Sequence, residues 1–378
     1  GGRGDPCDRP GSGRIQDSGR IQDSPLRNPF DPAAVAPLLL AWYRRCGRDL
    51  PWRHSRDPYR VWLSEIMLQQ TTVAAVIPYF QRFLQHFPDV ASLAAAPVEA
   101  VIAQWAGLGY YSRARNLHAA AQAVLRQHGG VFPADLDALQ RLPGVGRSTA
   151  GAIYSIAFDR PGPILDGNVR RVLCRLFALE GDPRSSSAEK QLWFWATALT
   201  PEQHCHDYAQ ASMDLGATVC TPSAPACPAC PLETLCQARR LGLEGELPRA
   251  RPKKTIPTQI QVALLLGRRG AFLVRRRPLS GMLGGLWEFP GREVAPGEAP
   301  EAAARDLLRR LGLEGELLPA GGVRHAYSHF KLDLQLFSAT VADAATCAEG
   351  DPSAWLIPAE LGSLALHRAH QKALKFVP

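Results

Sequence analysis

The chain has 378 residues, of which 46% are hydrophobic and 21% charged, and its formal net charge at pH 7 is +8. This length allows two domains with their own cores, and no uncharged apolar run approaches the roughly 20 residues of a membrane-spanning helix. The positive charge is compatible with a nucleic-acid partner, although many basic proteins bind none. We therefore expect a multidomain monomer without a membrane partner.

The first 30 residues differ in composition from the rest. They are rich in Gly, Arg, Asp and Ser, and the hexapeptide Gly13–Ser18 recurs as Gly19–Ser24. This composition predicts a disordered tail. Its acidic residues argue against a transit peptide, and no secretory signal is visible, so we expect a cytoplasmic protein, associated with the nucleoid if it is bacterial.

Residues 31–240 are predicted to form an all-helical domain, because apolar residues recur at three- and four-residue spacing. The clearest helical segments are Ala33–Arg45, Tyr59–Gln70, Arg113–Gln127 and Ala188–Ala198. Residues 241–258 end in the proline-rich, basic LPRARPKKTIPT and are predicted to be a linker.

The periodicity changes from residue 259 onward. The predicted elements are two strands, one amphipathic helix and a further pair of strands around a turn: Gln261–Leu266, Ala271–Val274, Pro300–Leu311 and Val323–Phe337. Residues 259–378 are therefore predicted to form a smaller α/β domain.

Glu65 is the carboxylate in an apolar helical segment, VWLSEIMLQQ (Val61–Gln70). Neighbours such as Trp62 and Met67 should raise its pKa, leaving it protonated near neutrality as a general acid. The alternative is a partly exposed glutamate on the polar face of the helix.

Aromatic and basic residues alternate in WAGLGYYSRAR (Trp105–Arg115). A tyrosine on a glycine turn can wedge into a base stack while Arg113 and Arg115 meet phosphates. Packing of one of the two tyrosines in the core is the alternative.

A glycine-rich turn, LPGVGRSTA (Leu142–Ala150), opens a helix. Gly144 and Gly146 would let the backbone approach a DNA phosphate, and the helix start offers free N–H groups. An ordinary helix–helix turn is the alternative.

Asp166 lies in PILDGNVRR (Pro163–Arg171), where it is a good helix N-cap. N–H groups at a helix start should depress its pKa and keep it ionised, so that it faces a developing cation. With Glu65 it would form the acid-plus-stabiliser pair of glycosyl bond cleavage.

Four cysteines lie close together, with six, two and five residues between them: Cys220, Cys227, Cys230 and Cys236. One compact run with a single Cys-x-x-Cys pair favours an iron–sulfur cluster over structural zinc, although its spacing is not a ferredoxin pattern. Disulfide bonds are the alternative. We expect no metal at His204–Cys205–His206, because adjacent residues at a helix start rarely converge on one ion.

Together these motifs resemble the MutY adenine DNA glycosylases of the helix–hairpin–helix superfamily. WLSEIMLQQT, WAGLGYYSRARNL, LPGVGRSTAGAI, LDGNVRRVL and MDLGATVC occur in this order before the cysteines, and the resemblance extends from Leu50 to about Leu334. It implies a helix–hairpin–helix glycosylase domain with a 4Fe-4S cluster on the four cysteines. The implied substrate is duplex DNA in which adenine is mispaired with 8-oxoguanine or guanine.

The resemblance also implies roles for individual residues. Glu65 would protonate a flipped-out adenine at N7, and Asp166 would stabilise the oxocarbenium sugar. Ser148 stands where endonuclease III-like enzymes have a Schiff-base lysine, which implies a glycosylase without strong strand cleavage. The wedge and the remaining implied substrate-binding residues are Tyr110, Trp52, Arg53, Gln70, Asn168 and Gln210. The cluster would pin its loop so that Arg239 and Arg240 meet the DNA backbone.

The C-terminal part resembles the Nudix-like domain of MutY through RRRPLSGMLGGLWEFPG (Arg275–Gly291) and HAYSHFKLDL (His325–Leu334). Tyr327, Ser328 and His329 would take the place of a Phe-Ser-His loop that inspects 8-oxoguanine, and the Tyr327 hydroxyl needs a partner. Arginines in Arg305–Gly312 replace the glutamates with which a Nudix hydrolase holds magnesium, so we expect no nucleotide hydrolysis.

Two other functions are considered. An endonuclease III-like glycosylase and lyase for oxidised pyrimidines is opposed by Ser148 and by the second domain. A non-catalytic iron–sulfur DNA-binding module that senses redox state is opposed by the presence of both Glu65 and Asp166.

Overall fold

The computed structural model describes residues 30–249, 256–327, 329–342 and 352–377. The predicted tail, with its repeated hexapeptide, and Ser328 lie outside these ranges. The described residues form a helical domain followed by an α/β domain, as predicted. None of the helices in the described ranges is both long enough and apolar enough to cross a bilayer.

The helical domain is built from short helices with polar caps. Asp57 caps α2 by accepting a hydrogen bond from the Tyr59 amide, and Thr72 caps α3. The four predicted helices are confirmed, with ends displaced by at most two residues. The helices are α1 (Val35–Cys46), α2 (Pro58–Leu68), α3 (Val73–His86), α4 (Val90–Ala95), α5 (Val98–Trp105), α6 (Ser112–His128), α7 (Leu136–Gln140), α8 (Arg147–Phe158), α9 (Gly167–Leu176), α10 (Ser186–Leu199), α11 (Cys205–Asp214) and α12 (Gln237–Leu241).

Helix α8 lies at the centre of this domain, in contact with both α2 and α11. The segment that leads into α9 crosses α8 at Gly151. A Cβ atom at Gly151 would lie 2.1 Å from the carbonyl oxygen of Pro163. Only glycine permits this approach, which brings the start of α9 towards α2.

The α/β domain is a seven-stranded mixed sheet covered on both faces. Strand β1 pairs in parallel with β6 and antiparallel with β2 and β4. Its Val262–Leu266 segment is buried on both faces, which explains an apolar run without alternation. The strands and helices are β1 (Thr258–Arg268), β2 (Ala271–Arg276), β3 (Trp287–Glu288), β4 (Gly291–Glu293), α13 (Pro300–Arg310), β5 (Leu318–Ala326), β6 (Lys331–Thr340), β7 (Ser353–Leu356), α14 (Pro358–Leu361) and α15 (Arg368–Ala373).

The predicted linker is described on either side of residues 250–255. Before this gap, Leu247 is buried and its carbonyl oxygen accepts a hydrogen bond from Arg175 Nε at 2.8 Å. Residues 241–249 therefore pack on the helical domain, and β1 begins at Thr258.

The two domains also contact each other directly. Arg276 forms an ion pair of 3.2 Å with Glu99 on α5. Leu286 of the α/β domain is fully buried within the core cluster of the helical domain. The loop between β2 and β3 is thus docked against α5 and α6.

Candidate active site

Glu65 and Asp166 line one cavity of about 240 Å³ among α2, the start of α9 and α11. Trp52, Arg53, Asn168 and Gln210, which were singled out in the sequence, line it as well. Six residues from four separate parts of the chain therefore share one cavity.

Gln70 and Ser148 are not among the described residues that line this cavity. Helix α2 ends at Leu68, two residues before the predicted end, and Gln70 is exposed with a left-handed φ of 56°. Ser148 Oγ accepts a hydrogen bond of 3.0 Å from the Leu165 amide, so it braces the residue before Asp166. Substrate contacts of Gln70 and Ser148 stay predictions.

The pKa of Glu65 is raised, as predicted. Burial is the largest cause and the nearby Asp166 adds to it, while Arg53 lowers the pKa, and the result is about 7. Trp62 and Met67, which flank Glu65 on α2, are completely buried. A proton on this carboxyl group is therefore available near neutral pH.

Asp166 caps α9, with its Oδ1 accepting a hydrogen bond of 2.7 Å from the Val169 amide. The prediction of a depressed pKa is wrong in its net direction. Burial raises the pKa of Asp166 by more than the amides of Val169 and Asn168 lower it. The amides still favour the charged form of Asp166. The Asp166 carboxyl group is thus both the N-cap of α9 and part of the cavity wall.

Asp214 was missed by the sequence analysis, although it lies in the quoted MDLGATVC motif. It is completely buried, and its two oxygens accept hydrogen bonds of 2.7 and 2.8 Å from Arg53. The amide and Nε of Arg48 donate to it as well. Burial raises the pKa of Asp214, but Arg53 and Arg48 bring it below its ordinary value. Asp214 thus fixes the Arg53 guanidinium at the cavity wall.

Both glycines of the turn between α7 and α8 are exposed. Gly144 has a φ of 76°, and a Cβ there would lie 2.8 Å from Cβ of Asn116. Gly146 is the N-cap of α8 and has nothing within 4 Å of an added Cβ. A phosphate can therefore approach the N-terminus of α8 without a steric barrier.

The two tyrosines before α6 have different environments. Tyr110 is 40% exposed and has a left-handed φ of 48°, next to Gly109. Tyr111 is buried, and its hydroxyl accepts a hydrogen bond from the Gly107 amide at 2.9 Å. One tyrosine therefore packs in the core, and the other, Tyr110, is exposed at the surface.

The prediction that Arg113 and Arg115 meet phosphates is wrong in this structure. Arg113 is buried and donates to backbone carbonyls, among them those of Met67 and Gly109. Burial lowers the pKa of Arg113 to about 10. Arg115 donates to the Gly284 carbonyl across the domain boundary at 2.9 Å. Both guanidinium groups therefore hold protein backbone.

A second cavity, of about 710 Å³, lies between the two domains. Tyr110 lines it from the helical domain, and Tyr327, His329 and Arg368 line it from the α/β domain. The predicted wedge and the predicted lesion loop therefore share one cleft.

The Tyr327 hydroxyl has the hydrogen-bond partner that the sequence analysis expected it to need. It lies 3.0 Å from His367 Nδ1, and burial raises the pKa of Tyr327 to about 12. His367 was not found from the sequence, because it lies 40 residues from Tyr327. This contact turns the Tyr327 hydroxyl towards the core of the α/β domain.

His367 also belongs to a buried group with Glu288 and His370, whose potential ligand atoms lie within 4.8 Å of one another. Each member already has a protein partner. Glu288 accepts from Arg275 and Arg277, and His370 Nδ1 accepts from the Phe289 amide. Burial raises the pKa of Glu288, but His367 and Arg277 lower it to about 2. The group therefore braces β3 against α15.

Helix α13 carries the three arginines noted in the sequence, Arg305, Arg309 and Arg310. Arg310 Nε forms an ion pair of 2.8 Å with Asp306, and Arg305 forms one of 2.7 Å with Glu301. The acidic groups of this helix are therefore paired with cations.

The four cysteines of the run line one small cavity. All four are free thiols, so the disulfide alternative is wrong in this structure. Burial raises the pKa of Cys230 to about 12, and Arg175 Nη1 lies 3.3 Å from Cys220 Sγ. The site thus brings four thiols and a buried cation together.

Two exposed arginines follow this run. Arg239 forms ion pairs with Glu233 at 3.2 Å and Glu244 at 2.7 Å, and its contact with the DNA backbone stays a prediction. Arg240 is exposed, and its DNA contact stays a prediction.

Cys205 and His206 have separate partners: Cys205 Sγ donates to the Pro201 carbonyl, and the His206 ring contacts Ile156 and Gln210.

Comparisons with known proteins agree with this two-domain arrangement. A family model described as HhH-GPD superfamily base excision DNA repair protein matches residues 63–197, and a NUDIX domain model matches residues 261–376. The curated adenine DNA glycosylase of Mus musculus is 37% identical, covering 91% of this chain and 78% of that protein. The Homo sapiens protein of the same name is 38% identical, covering 93% and 75%.

A solved structure of a thermostable thymine-DNA glycosylase is similar to 56% of this chain and 97% of its own chain, with a TM-score of 0.50 and 29% identity.

Proposed function

Since the chain belongs to the adenine DNA glycosylase family, we propose that it hydrolyses the N-glycosidic bond of adenine mispaired with 8-oxoguanine, or with guanine, in duplex DNA. The observation that carries this proposal is the shared cavity of Glu65 and Asp166. A general acid and an anion at one site are what glycosyl bond cleavage requires. Chromosomal DNA as substrate implies that the protein works in the nucleoid if it is bacterial.

The proposed reaction begins with an adenine flipped out of the duplex, because its glycosidic bond is unreachable in the stack. Glu65, with a pKa of about 7, donates its proton to N7 of the purine. The bond between C1′ and N9 then breaks, and its electron pair leaves with the neutral adenine. The Asp166 carboxylate stabilises the sugar cation until a water molecule adds its oxygen to C1′ and releases a proton.

Hydrolysis without strand cleavage is part of the proposal. Among the described residues that line the cavity there is no lysine, so this site has no amine to form a Schiff base. The Ser148 hydroxyl is engaged with the Leu165 amide. These observations oppose the endonuclease III-like alternative.

We propose that the interdomain cleft receives the 8-oxoguanine strand. Tyr110 is exposed on a glycine turn at one wall, where a ring can enter a base stack. Tyr327 and His329 stand at the opposite wall. In the sequence they flank Ser328, the remaining residue of the proposed lesion loop. Because the Tyr327 hydroxyl contacts His367 in the α/β domain, the Tyr327 ring is held in a fixed position at this wall.

We propose that Cys220, Cys227, Cys230 and Cys236 hold a 4Fe-4S cluster. Their thiols converge on one cavity, yet among the described residues no three Sγ atoms are grouped within 4.8 Å of one another. Tetrahedral zinc would hold its sulfurs about 3.8 Å apart, given Zn–S bonds of about 2.3 Å. This wider spacing of the sulfurs fits a cluster that is larger than a single zinc ion. When bound, the cluster would tie the cysteine loop together. Stoichiometric iron would support the assignment, and stoichiometric zinc would refute it.

The direct test of the function is a time course of base release on duplexes that pair adenine with 8-oxoguanine, guanine or thymine. We expect the fastest release opposite 8-oxoguanine and slower release opposite guanine. Strand cleavage is measured in the same samples on a duplex with an abasic site. Cleavage as fast as adenine release would contradict the proposal.

A further inference from the structure

We infer that His206 determines base selectivity by fixing which end of the Gln210 amide is available to a purine in the cavity. The inference rests on the proposed function. His206 lies behind Gln210, and it is absent from the described lining of the cavity. It would therefore act as a positioning residue.

The hydrogen bonds of His206 define its tautomer. The ring is buried, and its Nδ1 lies 2.6 Å from the carbonyl oxygen of Ile156. A carbonyl oxygen can only accept, so Nδ1 must carry the proton. In the neutral ring, Nε2 is then an acceptor. The carboxylate of Asp207 is 3.9 Å from Nε2, beyond hydrogen-bonding distance.

This tautomer orients the amide of Gln210. The Gln210 nitrogen lies 2.8 Å from His206 Nε2 and 3.4 Å from the His206 carbonyl oxygen. Both neighbours accept, so the NH₂ group must face them and the amide cannot turn over without losing both bonds. Gln210 is 2% exposed, and within the described chain its Oε1 has no hydrogen-bond partner.

The unsatisfied oxygen gives the cavity a preference between purines. Adenine carries an amino group at C6, which donates, whereas guanine and hypoxanthine carry a carbonyl there, which accepts. Oε1 of Gln210 would accept from the amino group and repel the carbonyl oxygen. Because His206 holds the amide in this direction, it would select 6-amino over 6-oxo purines.

The test uses the full-length protein with the substitution His206→Phe, which keeps a ring of similar size but removes both ring nitrogens. Single-turnover base release is measured on duplexes with adenine or hypoxanthine opposite 8-oxoguanine. We expect the ratio of the adenine rate to the hypoxanthine rate to fall about tenfold, because the amide is free to turn its NH₂ group towards a carbonyl. An unchanged ratio in a folded variant would overturn the inference.

His118→Phe is the matched control. His118 is also buried and bonded to a backbone carbonyl, that of Ala96 at 2.8 Å, but it is not part of the cavity. Its substitution should leave the ratio unchanged. If His118→Phe lowered the ratio of the adenine rate to the hypoxanthine rate as much as His206→Phe does, the effect would be a general one of removing a buried histidine. That result would overturn the inference.

The variant Gln210→Leu tests whether His206 acts by positioning Gln210 or only by supporting the fold. It should lower the ratio by itself, and adding His206→Phe to it should lower the ratio no further, because His206 acts through Gln210. Additive losses would overturn the inference. A wild-type protein that releases no adenine would instead refute the proposed function, so the two failures are distinguishable.

Discussion

The carboxyl group of Glu65, the acid of the proposed reaction, lowers the stability of the protein at neutral and higher pH. Its pKa is 4.5 for an exposed group and about 7 in the folded protein, with burial as the main cause. Below pH 4.5 both the folded and the unfolded state hold the proton. Between pH 4.5 and 7 the unfolded state releases it first, so the free energy of unfolding falls as pH rises. Above pH 7 the loss is constant, at about 3 kcal/mol.

Glu65→Gln should therefore stabilise the protein at high pH. We expect the free energy of unfolding of the variant to exceed that of the wild type by up to about 3 kcal/mol at pH 8, and to equal it at pH 4. Urea denaturation at both pH values measures the difference. Glu202→Gln is the control, because Glu202 is exposed. A Glu65 variant no more stable than wild type at pH 8 would contradict the raised pKa of Glu65.

Individual residues were predictable where their signal was local. Glu65 was found because it is a carboxylate in an apolar helix. Asp166 was found because it is a typical capping residue at the start of a predicted helix. Asp214 and His206 were not found as parts of the site, because their roles depend on distant partners. Asp214 lies 161 positions from Arg53, and His206 lies 50 positions from Ile156.

At the scale of elements, one buried side chain joins α2, the helix of Glu65, to the loop that carries Tyr110. Arg113, in the first turn of α6, donates to the carbonyls of Ile66 and Met67 at the end of α2. It also donates to the carbonyls of Leu108 and Gly109, just before Tyr110. The last turn of a helix has carbonyls without intrahelical partners, and here an arginine supplies the donors.

Replacing Arg113 with Met should leave these buried carbonyls without donors. We expect the free energy of unfolding to fall by about 3 kcal/mol. Arg126→Met is the control, because Arg126 is exposed in the last turn of the same helix. Thermal or urea denaturation of the two variants makes the comparison. Equal stabilities would show that Arg113 does not hold the end of α2.

The longer elements were predictable because periodicity needs length to be visible. Helix α6 has 17 residues and was found with each end displaced by one residue, and the predicted strand Gln261–Leu266 covers the central part of the 11-residue β1. Helix α7 has five residues and β3 has two, which is too short for a period. The end of α2 was extended past Leu68, because the Gln-Gln pair carries no stop signal and the turn there is fixed by the distant Arg113.

At the scale of the whole molecule, the structure couples the two domains through the loop between β2 and β3. Arg115 donates to Gly284, 169 positions away, and Gly285 approaches Ile102 on α5. Each domain was predictable from its own pattern and motifs. Their docking was not, because a loop with glycines gives no local sign of the surface that it contacts.

Gly285→Ala should disturb this docking. An added Cβ would lie 2.6 Å from Ile102 Cδ1 at a φ of 82°. We expect the preference for adenine opposite 8-oxoguanine over adenine opposite guanine to fall at least about fivefold, because the proposed lesion loop would shift relative to Tyr110, the proposed wedge. Single-turnover rates on both duplexes measure the preference.

Gly297→Ala is the control for backbone strain. Gly297 has the same φ of 82°, but nothing lies within 4 Å of an added Cβ, and it is not part of the interdomain cleft. Its substitution should change the preference less than Gly285→Ala does. Equal effects of the two variants would attribute the change to backbone strain and remove the docking from the account.

The most direct measurement is single-turnover adenine release by Glu65→Gln and by Asp166→Asn, together with the binding of each variant to the same duplex of adenine opposite 8-oxoguanine. Each variant should release adenine at least about a thousandfold more slowly than wild type, because each removes a group used in the transition state. Each should still bind the duplex within about threefold of wild type, because mainly phosphate contacts hold the DNA. Adenine release at the wild-type rate by either variant would contradict the assignment of this cavity as the active site.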